Sequence, residues 1–69
     1  MLIFDTVAEK ILRLRFLNAL DDAERRNTVE NRVKVLRAYY ALKEKLRRED
    51  KIELDNQYFS RVNMIVFPM

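Results

Sequence analysis

Few side chains in this sequence have the chemistry to act on a substrate. Ser60 is its single serine, and the chain contains no histidine and no cysteine. Nothing is therefore available to activate Ser60 in the manner of a Ser–His pair, and no Cys–His nucleophile exists. Two adjacent carboxylate pairs, Asp21–Asp22 and Glu49–Asp50, have the residue type for general acid–base work. Both lie in polar runs, "LDDAERR" and "RREDK", where exposure keeps carboxylates ionised, and both read as helix-end charges. The same absences remove the imidazole and thiolate ligands of a structural zinc site, and no spaced acidic cluster resembles a calcium loop. With no glycine, a glycine-rich phosphate loop is excluded as well. The chain reads as a non-enzyme, with no cofactor, no metal and no small-molecule substrate.

What remains is contact chemistry, and it concentrates in "RVKVLRAYYALKEKLRR", residues 32–48. Net charge is +3, but residues 1–24 carry −2, residues 25–51 carry +6 and residues 52–69 carry −1. An asymmetry of this kind points to an acidic partner, set against the commoner reading of a solvated helix face. Placed on one helix, Lys34, Arg37, Lys45 and Arg48 fall within roughly 80° of one another, with Ala38 and Ala41 between them. Arg25 and Arg26 are auxiliary candidates for phosphate contact. Four phosphate contacts give a log–log salt slope of about −3.6, a modest anchor without sequence readout. Glu30–Lys34 and Glu44–Arg48, each at i,i+4, are expected to soften this face by pairing.

The elements that position these residues follow from apolar periodicity. A first helix is expected to start near Thr6, where Glu9 stands at the capping-box spacing. Val7, Ile11 and Leu14 form one row, with Leu17 and Leu20 beside it and Leu12, Phe16, Ala19 and Ala23 on the opposite side. Such a helix is apolar over most of its circumference and is expected to be buried among several neighbours. A connection is placed around residues 22–27, followed by a cap at Asn27 with Glu30 three residues later.

The second helix is expected from Thr28 to Glu49, with two apolar rows. Val29, Val33, Leu36 and Tyr40 make one. Val35, Tyr39, Leu42 and Leu46 make the other, spaced 4-3-4 like the seam of a helix–helix contact. Two rows imply two contacts, one to the first helix and one to a further helix or a second subunit. The tandem Tyr39–Tyr40 belongs to both, so it reads as core or interface before base stacking. "IELDNQYFSRVNMIVFPM" is expected to hold a third, short helix from an Asp55 cap, with Tyr58, Val62 and Ile65 on one face and an extended tail. A short strand at "NMIVF", paired with the apolar start "MLIF", is the alternative.

Size supplies the last constraint. A chain of 69 residues buries only roughly 60% of its unfolded surface and gains its margin from cross-links, metals or partners. Cross-links and the usual metals are excluded here, which leaves association. No segment reaches the roughly 18–20 apolar residues that span a bilayer, the two-sided rows do not suit a membrane-surface helix, and "MLIFD" lacks the form of a signal peptide. The expectation is a single all-α domain over residues 1–69, with two long antiparallel helices plus a short C-terminal helix or strand, completed by self-association. It is a cytoplasmic, non-enzymatic protein-interaction or regulatory module. The expected interface is Val35, Tyr39, Leu42 and Leu46 with Met64, Ile65, Val66 and Phe67 of the tail. The alternative is a small basic DNA- or RNA-binding protein using the cationic helix face.

Overall fold

The computed structural model describes residues 7–68 and places three helices in them: α1 Val7–Arg25, α2 Val29–Lys45 and α3 Arg48–Val66. No strand occurs among the described residues, so "NMIVF" is helical up to Val66. The Thr6 cap and the "MLIF" start lie outside the described residues. The all-α expectation stands, but the third element is a 19-residue helix, as long as α1, and not a short one.

Both reversals are made without glycine and without positive φ among the described residues. Between α1 and α2, side chains close the turn. Thr28 caps α2, its hydroxyl accepting from the Asn31 amide at 3.2 Å, so the expected cap at Asn27 is shifted by one residue. Asn27 is used otherwise. Its side-chain N–H donates to the Ile65 carbonyl at 3.2 Å, tying the turn to the end of α3, and its Oδ1 accepts from the Arg32 Nε–H. Asn31 Nδ2 donates to the Arg26 carbonyl at 2.9 Å. A polar turn of this kind takes its backbone partners from Asn and Thr side chains.

The second reversal corrects the expected end of α2. The helix stops at Lys45 and not at Glu49, because Leu46 and Arg47 adopt extended backbone (ψ 154° and 164°) before α3 begins. Extension at Leu46 drops its side chain into the core, where it is buried, and turns α3 back along α2. Charge supports the break. Lys43 and Lys45 occupy the last turn of α2, and Glu49 and Asp50 the first turn of α3, each sign facing the favourable end of a helix dipole. Arg47 bridges the corner to Asp50 at 3.5 Å.

Short connections make α2 run back along α1 and α3 back along α2. The core between them comprises Phe16, Leu20 and Ala23 of α1, Val35, Tyr39 and Leu42 of α2, Leu46 of the corner, and Leu54, Val62 and Ile65 of α3. Burying each larger apolar side chain stabilises the fold by about 1.5–3 kcal/mol. Phe16 sits at the centre, 5.6 Å from the Tyr39 ring and 5.2 Å edge-on to Tyr58. Asp55 does not cap a helix. It lies within α3 and accepts from Lys43 Nζ at 2.8 Å and from the Tyr39 hydroxyl, which clamps α3 onto α2. Arg61 clamps α3 onto α1 through Glu24, at 2.6 and 3.2 Å, and that carboxylate holds the guanidinium pKa above its ordinary value.

One expectation fails on α1. Its Leu12–Phe16–Ala19–Leu20–Ala23 side packs inward, while Val7, Ile11 and Leu14 are exposed. Three helices supply neighbours on one side of α1 only, so an all-round apolar helix is left half covered.

Candidate interaction surfaces

The two apolar rows of α2 part company in the structure. Val35, Tyr39, Leu42 and Leu46, read from sequence as interface, are all buried inside the chain against α1 and α3. The other row stays outside, with Val29, Val33 and Tyr40 exposed and Leu36 half-buried. The tandem tyrosines show the split most sharply, since Tyr39 is 2% exposed and Tyr40 60%.

Leu36 and Tyr40 of this outer row face α3 across an apolar cleft of about 190 Å³. Leu36, Tyr39 and Tyr40 line one wall, and Phe59, Val62, Asn63, Val66 and Phe67 the other. No charged residue lines it. Three rings stand at its rim with much of their surface in solvent: Tyr40, Phe59 at 56% and Phe67 at 69% exposed. The C-terminal tail therefore divides. Ile65 belongs to the core, Val66 and Phe67 line the cleft, and Met64 points away into solvent. Phe59 and Ile52 were missed by sequence reading. Their signal was the spacing of Ile52, Phe59 and Val66 at seven-residue intervals, which places them on one stripe of α3.

The cationic set is rearranged as well. Lys34, Arg37 and Lys45 remain on α2, but Arg48 opens α3, so the four do not share one helix face. Neither Glu30–Lys34 nor Glu44–Arg48 is among the ion pairs of the described residues. Arg25 pairs with Asp21 at 3.2 Å with both side chains largely in solvent, and Arg26 lies in the open polar concavity at the start of α2. Instead, Lys34 and Arg37 join Arg15 of α1 around a second groove of about 350 Å³, floored by Leu12, Ala19, Ala38 and Ala41. Arg15 was not singled out from sequence, because it becomes a neighbour of Lys34 and Arg37 only once α1 and α2 pack.

The residues with reactive side chains stay apart. Ser60, Asp21, Asp22 and Glu49 are exposed, and Asp50 is half-buried against Arg47. No cluster of three or more acidic side chains suited to a metal ion forms among the described residues. No helix of the described residues is long and apolar enough to cross a membrane. No family model, curated protein or solved structure matches the chain closely enough to mark a relative.

Proposed function

We propose that this chain is a non-enzymatic interaction module that works through the apolar face of α2 and α3, with a second copy of itself as the first occupant. The observation that carries this reading is the uncharged cleft rimmed by Tyr40, Phe59 and Phe67. Rings of this size present roughly 150–250 Å² each when fully exposed, so three more than half exposed offer roughly 350 Å². A stable interface buries about 800 Å² per partner; by helical spacing Val33 continues the Leu36–Tyr40 row and Ile52 the Phe59–Val66 stripe, and both are exposed. An isologous contact sets the same patch against itself. Because no charge lines the cleft, two copies of net charge +3 meet there without opposing like charges at the centre. Exposed apolar surface of this extent on so small a chain is a docking site or an aggregation hazard.

The test is native mass with surface variants. Deleting residues 64–69 is too blunt, because it also removes the core side chain Ile65. Phe59→Ser with Phe67→Ser alters only exposed positions and should leave helix content intact while abolishing association. Association unchanged in that folded variant would reject this face.

A further inference from the structure

The groove between α1 and α2 is a second and chemically different surface. At about 100° per residue, Arg15 and Ala19 lie on the far side of α1 from Glu24, and Ala38 and Ala41 on the far side of α2 from Lys43. Glu24 and Lys43 are the residues through which α3 is held, by Arg61 and Asp55 respectively. The groove therefore opens on the flank that α3 does not cover. Its walls, Leu12 to Ala19 and Lys34 to Ala41, each follow about 10 Å of helix axis, or two turns.

Its floor is three alanines and a leucine, and its only charged lining residues are the cations Arg15, Lys34 and Arg37. Four cations outside the groove are matched by carboxylates of the same chain: Arg25 by Asp21, Lys43 by Asp55, Arg47 by Asp50 and Arg61 by Glu24. Arg15, Lys34 and Arg37 make no ion pair with any described residue.

We infer that this groove docks an acidic amphipathic helix of a partner protein, which would complete a four-helix arrangement with α1, α2 and α3. The small floor residues permit close approach of a helix axis, whose separation from a neighbour is set by the side chains at the contact. An apolar stripe on the guest covers Leu12, Ala19, Ala38 and Ala41, and carboxylates beside that stripe meet Arg15, Lys34 and Arg37. Electrostatic complementarity of this kind fixes partner choice and speeds encounter. A nucleic-acid strand fits the same groove less well. No aromatic ring lines it for base stacking, and hydrocarbon would face the backbone phosphates.

The experiment uses the full chain and three labelled probes. One is a synthetic Glu/Ala/Leu peptide of about 18 residues, long enough to hold helix, with Leu at i, i+3 and i+4 spacing. The second is its scrambled isomer of identical composition and charge. The third is an oligothymidine of about 20 nucleotides. Fluorescence anisotropy should show saturable binding of the amphipathic peptide, at least about tenfold tighter than the isomer. Arg15→Glu with Lys34→Glu and Arg37→Glu should reduce that affinity at least about tenfold, and Ala41→Phe, which fills the floor and keeps every cation, should do the same. The charge variant alters exposed, unpaired side chains and keeps the test valid if Ala41→Phe fails to fold. Equal binding of the scrambled isomer, no saturable binding of the amphipathic peptide, or an unaffected charge variant each overturns the proposal. So does oligothymidine binding tighter than the peptide, which would assign the groove to nucleic acid.

Discussion

The two flanks of α2 differ in almost every respect that governs recognition. On the α3 side, the cleft is lined by aromatic and aliphatic residues with one asparagine and no charge. On the α1 side, the groove is floored by alanines and rimmed by three cations. One helix builds both because its apolar stripe is wider than its neighbours cover. Val35, Tyr39 and Leu42 fill the centre, Tyr40 and Leu36 spill onto one flank, and Ala38 and Ala41 onto the other. Large side chains at the first edge leave apolar surface in solvent. Small ones at the second leave a shallow channel between α1 and α2. The difference teaches that hydrophobic content and net charge, averaged over a helix, conceal two surfaces of different chemistry.

The largest expected effect removes both flanks together. Leu42→Asp places an unpaired carboxylate at a fully buried position, at a cost of several kcal/mol. That is comparable with the whole stability of a small domain, so circular dichroism should show loss of helix and both binding activities should vanish. A folded, associated Leu42→Asp chain would contradict the core described above.

A smaller change should loosen one flank alone. Asp55→Ala deletes the acceptor shared by Lys43 and Tyr39, half of the clamp between α2 and α3. Both sides of the ion pair are partly exposed, so urea denaturation should register a loss of about 1–2 kcal/mol. Self-association should weaken with it, while peptide binding at the α1 groove persists. If both activities fell together, the flanks would not be independent.

Arg15→Glu with Lys34→Glu and Arg37→Glu makes the converse test. These side chains are exposed and unpaired among the described residues, so stability should shift by no more than about 0.5 kcal/mol per site. Native mass should remain that of wild type. Smallest of all is Ser60→Ala, exposed on α3 and remote from any base, which should change neither stability nor either interaction. Any catalytic turnover abolished in folded Ser60→Ala would overturn the non-enzyme reading.

Much of this architecture was legible beforehand. The 4-3-4 row Val35–Tyr39–Leu42–Leu46 marked a helix–helix seam, and the structure seats it between α1 and α3. Tyr58, Val62 and Ile65 were read onto one face of α3, where Val62 and Ile65 are buried and Tyr58 meets Phe16. The corner at Leu46–Arg47 was not read, because no glycine or proline marks it and the apolar period runs through it. Its only trace is the switch from cations to carboxylates in "KEKLRRED". That one misplacement moved Arg48 onto the wrong helix and with it the outline of the basic face. Arg15 was invisible for another reason: a surface shared by two helices has no periodicity within either one. Which apolar row turned inward could not be decided from α2 alone, since both have the same spacing and only the position of α3 distinguishes them.

The central claim, that the α2/α3 face is an association surface, is tested most directly by sedimentation equilibrium of the wild-type chain over a concentration series. Phe59→Ser with Phe67→Ser is run alongside it. Wild type is expected to show a concentration-dependent mass above 8.4 kDa, tending to twice that value, while the double variant stays at the monomer mass with unchanged helix content. A wild-type chain that remains a folded 8.4 kDa monomer throughout would contradict it.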